Sequence, residues 1–300
     1  NSGQDRGMGM SETRYHYGGD EYLLVIFSEA MDLAINFKLL SICHEIKLRQ
    51  VPGVIEACPA NASYLVHFRP EEVHPDQLIQ TLKDIENEIQ HANTIQSRLV
   101  DIPVLFDDPW TKECAQRFAD RHQDPSVSNL EYLMQVNGYS SKQEFIRAYC
   151  DRPFWISMVG FVPGTAWGYR MCPPDQAIQA PKYIRPRTDT PERAVAHAGV
   201  FLCIYPVRGP GGYQMIGMSA VPVYDPEEHL PDLRGRYILA NAGDRWKFRP
   251  IDMDEYNDIR SQVEAGTYRY RIVEQDFRPG EYIRDPSSYL KRLQEEAVHA

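Results

Sequence analysis

The sequence predicts an α+β protein: a small N-terminal α/β lobe followed by a larger, mostly β domain. Two observations carry this. Residues 20–89 give strand-like apolar runs and two helical periods in the order strand, helix, strand, strand, helix. Residues 154–226 instead hold short β-prone runs, Val200–Tyr205 and Tyr213–Met218. Gly160, Pro163, Gly164, Gly168, Gly199, Gly209, Pro210, Gly211, Gly212 and Gly217 punctuate them, which is the pattern of a barrel or curled sheet.

The first sixteen residues are polar and Gly-rich and read as a flexible tail, with the lobe spanning 17–92. Asp20–Ser28 reads as a strand. Glu29–Gln50 reads as an amphipathic helix, because Met31, Ile35, Leu39, Leu40, Ile42 and Ile46 recur at three- and four-residue intervals, and Pro52-Gly53 ends it. Val54–Ala57 and Ser63–Phe68 are two strands around Pro59-Ala60-Asn61, and Pro75 opens a second helix. His44, His67, His74 and His91 share no spacing and read as surface or capping residues. The polar stretch Gln90–Leu99 links the lobe to a domain spanning 99–284. Leu99–Phe106 is a strand whose Pro103 suggests an edge or a bulge. Asp107-Asp108 before Pro109 reads as a helix-start device ahead of an acid–base or metal pair. Helices over Thr111–Arg121, Asn129–Val136 and Lys142–Cys150 make a helical insert, 111–150, packing on the outside or rim of the barrel. Further on, Gly235–Leu239, Trp246–Phe248 and Tyr268–Val273 read as strands, Asp252–Ala265 as a helix, and 285–300 as a polar helical tail.

Composition narrows the function. The chain has 300 residues and a net charge of −10 with no basic stripe, which argues against a nucleic-acid partner. No apolar run approaches the roughly 18 residues of a membrane span, and the start lacks the order of a signal peptide, so the expected setting is cytoplasmic. Six scattered cysteines without a CxxC pair fit reduced, buried thiols and no metal site. The sequence has no Walker loop, no GxGxxG after a strand and no GxSxG elbow. It also lacks a Met-Lys-Met stretch that would offer a biotinyl lysine.

Four blocks carry a resemblance: Gly160-Phe161-Val162-Pro163-Gly164, Pro186-Arg187-Thr188, Ile204-Tyr205-Pro206, and Gly209 to Gly217. They resemble the signature blocks of the KipI family, also called allophanate hydrolase subunit 1. That family includes one half of the carboxyltransferase domain of urea carboxylase and a 5-oxoprolinase subunit. The resemblance runs from about Tyr17 to Ile283, and the Arg187–Val195 block with Tyr213-Gln214 is closer to the urea carboxylase branch. It implies a cyclophilin-like β-barrel after the lobe and a site where two related halves meet. Its partners would be a homologous second half, a biotin carboxylase and a biotin carrier. Carboxybiotin on a separate carrier would donate a carboxyl group to a small acceptor. The competing expectations are a subunit of a 5-oxoprolinase-type, ATP-dependent amidohydrolase and a KipI-like binding protein that inhibits a kinase. Two departures from the family pattern, Phe201-Leu202-Cys203 and Met218-Ser219-Ala220, point to a different acceptor.

Carboxyl transfer needs cationic or amide donors for developing negative charge, a base, and exclusion of water. Arg187 and Lys182 supply positive charge, with Arg offering the planar fork that matches a carboxylate. Lys182 and Arg185 read equally as solvated loop charge. Gly211 and Gly212 supply backbone amides, and Gln214 and Tyr205 orient a planar urea or amide. Tyr213 and Trp167 read as packing aromatics that flank this site. His197 serves as a base if it faces the pocket, although between two alanines on a strand it reads first as a satisfied barrel residue. Arg187, Tyr205, Gly211, Gly212 and Gln214 are expected around one pocket.

Overall fold

The computed structural model describes residues 13–89 and 94–298, and the chain divides into two compact units. The first comprises residues 1–95 with 278–280, the second 96–277 with 281–300. The expected tail lies outside the described residues up to 12, but its last residues belong to a strand. Likewise 90–93 of the expected linker lie outside them.

In the first unit, β1 (Arg14–Gly18), β2 (Tyr22–Ile26), α1 (Leu33–Leu48), β3 (Val54–Pro59), β4 (Ser63–Phe68) and α2 (Pro75–Glu88) follow in order. The strands form one antiparallel sheet, β1-β2-β4-β3. Period-two alternation sends Leu23, Val25, Tyr64, Val66 and Phe68 to one face, where they meet Ile42, Ile46, Leu78, Leu82 and Ile85 of the two helices. Asp32 caps α1 through the amides of Ala34 and Ile35, and His74 caps α2 through that of Asp76, at 3.2 Å.

The second unit holds β5 (Ile95–Phe106), α3 (Pro109–Arg117), α4 (Asn129–Val136), α5 (Lys142–Cys150), β6 (Phe154–Val159), β7 (Ala166–Arg170) and β8 (Arg187–Thr190). After these come β9 (Ala194–Ala198), β10 (Phe201–Ile204), β11 (Gly209–Gly211), β12 (Gln214–Ser219), β13 (Arg245–Pro250), α6 (Met253–Glu264), β14 (Ile272–Phe277), α7 (Pro279–Arg284) and α8 (Pro286–Val298). Strand order β12-β9-β10-β7-β6-β13-β5, with β12 pairing back onto β5, closes a seven-stranded barrel, and β14 extends the sheet from β5. Closure needs Gly217: a Cβ there would sit 2.8 Å from the Leu105 carbonyl oxygen on the facing strand.

One apolar cluster takes residues from all seven barrel strands, among them Val104, Phe154, Ala166, Val195, Leu202, Ile216 and Phe248, and so marks the barrel interior. Leu130 and Leu133 of α4 and Phe145 and Tyr149 of α5 join it. Cys114 of α3 instead joins a second cluster with Ala194, Ala196, Cys203, Tyr205 and Met215, the alternate positions of the same strands. Thus β9, β10 and β12 are buried on both faces. The helices start where the sequence signals them. Asp108 accepts from the amides of Trp110 and Thr111 at 3.0 and 2.8 Å, while Ser128 and Glu131 form a capping box.

Three strand expectations change. Gly235–Leu239 keeps only an isolated bridge, Ile238 to Tyr224. The last strand lies at Ile272–Phe277, because Tyr268 and Tyr270 alternate in sequence but are buried by core packing. Pro103 marks no edge. β5 pairs β13 on one side and β14 then β12 on the other, and Pro103 stands near the changeover, with the Asp101 amide bonded to Arg271 and the Ala220 amide bonded to the Pro103 carbonyl. All six cysteines are free and five are buried, with Cys58 exposed. Among the described residues no helix is long and apolar enough to cross a membrane, and no group of His, Cys, Asp or Glu is placed to hold a metal.

Candidate functional site

The outward-facing cluster of β9, β10 and β12 opens into a cavity of about 600 Å³. Its walls are Trp167, Tyr183, Cys203, Tyr205 and Tyr213. The run Pro206 to Gly212 and residues 161–162 with Thr165 complete it, and Lys182 stands at its edge. The size and the apolar lining with a few polar groups suit a small-molecule site.

Local sequence explains the shape. β10 ends at Ile204, and Tyr205-Pro206 leads out to β11, which pairs with β8 as a separate two-stranded ribbon. Gly211 lies directly against the Tyr205 ring. A Cβ at Gly211 would fall 2.1 Å from the Tyr205 hydroxyl and 2.4 Å from its ring, so only glycine permits this approach. A Cβ at Gly212 would meet nothing closer than 3.8 Å. The tight approach therefore belongs to Gly211 over Tyr205, and Gly212 lines open space.

Beneath the floor lies Arg187, which is fully buried. Its Nη1 donates to the Tyr213 carbonyl at 2.8 Å, Nε donates to the Thr190 hydroxyl at 3.2 Å, and Nη2 donates to the Tyr205 hydroxyl at 3.4 Å. The guanidinium stacks on the Tyr183 ring at 4.4 Å. Three of these four contacts hold a residue of the lining, and Arg187 itself does not line the cavity. It is a clamp on the aromatic walls, so its removal acts on the fold as well as on any chemistry.

Gln214 and His197 lie on the inward face, as cross-strand partners. Gln214 Oε1 is 2.7 Å from His122 Nε2, and its amide nitrogen donates to the Pro181 carbonyl at 3.0 Å. His197 is fully buried, with Nδ1 3.1 Å from the Tyr149 hydroxyl and Nε2 2.8 Å from the Ile178 carbonyl. Burial pushes its pKa down to about 4. The condition for His197 as a base, exposure to the pocket, is not met. Gln214 likewise points away from the cavity that Tyr205, Gly211, Gly212, Tyr213 and Lys182 share.

Two polar groups in the lining stand out. Thr165 is 3% exposed and its hydroxyl has no hydrogen-bond partner, an open handle for a ligand. The Lys182 ammonium lies 5.6 Å from the Tyr213 ring centroid and pairs with no carboxylate among the described residues. The other cation, Arg208, is held by Asp189 at 2.6 and 2.7 Å; with Arg117 at 2.9 Å it keeps that carboxyl far below its ordinary range. The Cys203 thiol is pushed up to about 12 by burial, which removes it as a nucleophile near neutral pH. Among the described lining residues there is no carboxylate and no histidine. Sequence reasoning missed Thr165, since nothing in Thr165-Ala166-Trp167-Gly168 shows which hydroxyl goes unpaired.

A family profile for "Carboxyltransferase domain, subdomain C and D" matches residues 13–234. The chain is 26% identical over 281 residues to urea amidolyase of Saccharomyces cerevisiae, covering 90% of this chain and 15% of that protein. It is 27% identical over 254 residues to a 5-oxoprolinase subunit of Bacillus subtilis, covering 81% of this chain and 95% of the relative. The solved urea carboxylase of Kluyveromyces lactis shares the fold, with TM-score 0.78 at 22% identity over 96% of this chain and 26% of that one. The chain spans about 15% of the length of the urea amidolyases it matches.

Proposed function

Because the chain belongs to the carboxyltransferase-domain family, subdomains C and D, we propose that it is one half of a carboxyltransferase. It moves a carboxyl group from carboxybiotin, borne on a separate carrier, to a small acceptor. The observation that carries this reading is the cavity's composition: aromatic walls, one unpaired hydroxyl and one uncompensated ammonium, with no proton acceptor among its described lining residues. Such a lining binds and stabilises but does not deprotonate. The base therefore comes from a homologous second half.

The residues present fit a bicyclic urea and its carboxyl group. Trp167, Tyr205 and Tyr213 offer flat apolar walls, and the orphaned Thr165 hydroxyl offers the hydrogen bond that a buried urea group needs. Carboxybiotin would supply an activated carboxyl group. Lys182 stabilises the negative charge at the mouth, Arg187 fixes Tyr205 and Tyr213, and the second half excludes water. The rim supports a covered surface: Phe161, Ile184 and Val207 are 76, 70 and 37% exposed, and Phe161 is held at φ 94°, a strained conformation for an aromatic residue.

A second reading rests on one observation. The 5-oxoprolinase relative is matched over 95% of its length, so a free-standing subunit of an ATP-dependent amidohydrolase has a similar extent. The test is reconstitution with candidate second halves. Carboxyl transfer from carboxybiotin that needs both halves supports the proposal. ATP-dependent opening of 5-oxoproline instead assigns the second reading, and full turnover by this chain alone refutes both.

A further inference from the structure

A second cavity, of about 470 Å³, shares no lining residue with the first. It lies within the second unit, between strands β5, β13 and β14 and the C-terminal helix α8. Arg152, Arg245, Lys247, Arg271 and Lys291 line it, against the carboxylates Asp101 and Asp151. Five cations around one cavity are unexpected in a chain of net charge −10. Both carboxylates are occupied elsewhere: Asp101 pairs with Arg249 at 3.1 Å and Asp151 with Arg170 at 2.6 Å.

The group that decides the matter is Arg245. It is 1% exposed, and its hydrogen bonds among the described residues go to neutral groups, from Nε to the Ser97 hydroxyl at 2.9 Å and from Nη2 to the Gln275 side-chain carbonyl at 2.8 Å. Nη1 has no partner among the described residues. A buried guanidinium without a counter-charge is costly, and burial lowers its pKa to about 10. Lys247, two residues on and so on the same face of β13, donates to the carbonyls of Cys150 and Asp151 at 2.6 Å, again without a charge partner among the described residues. Arg152 is anchored by the Ser287 hydroxyl at 3.0 Å, and Arg271 is exposed with no acid partner among the described residues. These cations are held in place by neutral acceptors, which leaves their charge uncompensated at the cavity.

We propose that this cavity binds a small polyanion bearing phosphate or carboxylate groups, with Arg245 and Arg271 as its principal partners. A guanidinium fork matches either oxyanion, and a cavity of this volume holds a metabolite-sized molecule.

The test is calorimetric titration of the full chain with inorganic pyrophosphate and with citrate at low salt. At least one of them should bind with a Kd below about 1 mM. Stronger pyrophosphate binding assigns phosphate groups, and stronger citrate binding assigns carboxylates. The double variant Arg271→Ala/Lys291→Ala alters exposed side chains that the fold does not need, and should weaken binding at least about tenfold. Arg245→Met should abolish it wherever that variant stays folded. Arg185→Ala, an exposed cation outside both cavities, should leave it unchanged. The proposal is overturned if neither anion binds in the millimolar range, or if Arg185→Ala weakens binding as much as the double variant does.

Discussion

The two faces of strands β9, β10 and β12 are equally buried, yet they treat polar groups in opposite ways. On the inward face both ring nitrogens of His197 are engaged, and Gln214 is tied to His122 and Pro181. On the outward face the Thr165 hydroxyl has no hydrogen-bond partner and the Lys182 ammonium no carboxylate among the described residues, and Gly211 gives up a side chain to lie on Tyr205. A buried polar group whose bonds are complete stabilises the protein. One whose bonds are incomplete costs stability and marks where a ligand completes them. Residue type alone does not separate these cases, and the histidine, chemically the most versatile residue here, sits on the structural face.

The largest expected effect that tests this contrast is a pH dependence. His197 takes up a proton at an ordinary pKa of 6.5 when unfolded and only at about 4 when folded. Between those values the unfolded chain binds more protons. Stability from this group is therefore complete above about pH 6.5 and is lost as pH falls towards 4, by about 3 kcal/mol in all. Denaturant unfolding followed from pH 7 to pH 4 should show that fall, and His197→Asn should flatten it. An unchanged slope in the variant would mean that the inward face is not holding a neutral imidazole.

A smaller effect separates the adjacent glycines. Gly211→Ala forces a Cβ into the Tyr205 ring, which Arg187 holds from behind, and should destabilise by about 1–3 kcal/mol while closing the cavity. Gly212→Ala, with its nearest neighbours at 3.8 Å, should stay within about 0.5 kcal/mol of the parent. Equal midpoints in thermal unfolding would remove Gly211 from its place as the residue that shapes the site.

Much of this organisation was legible in the residues. The bounds of α4 and α5 follow from the caps at Ser128 and Ser141, and Asp107-Asp108 reads correctly as a helix start because Asp108 sits ahead of a proline at the first helical position. Tyr205, Gly211, Gly212, Tyr213 and Lys182 converge because a glycine-rich connection folds back over the end of β10. What stayed hidden depended on long-range geometry. Gln214 meets His122 across 92 residues, and Arg187 meets the Tyr213 carbonyl across 26. Local spacing does not report which face of a strand a polar side chain takes when both faces are buried. For the same reason the alternation of Tyr268 and Tyr270 suggested a strand that begins too early, ahead of Ile272.

The central claim, that the outward face acts and the inward face only holds, is tested most directly by carboxyl-transfer turnover of two variants in the complex with the second half. Lys182→Ala should assemble normally and lose about 10²-fold in turnover, the size of a lost oxyanion contact. His197→Asn, assayed at neutral pH below its unfolding temperature, should keep turnover close to that of the parent. The reverse result, with His197→Asn inactive and Lys182→Ala fully active, would contradict the account.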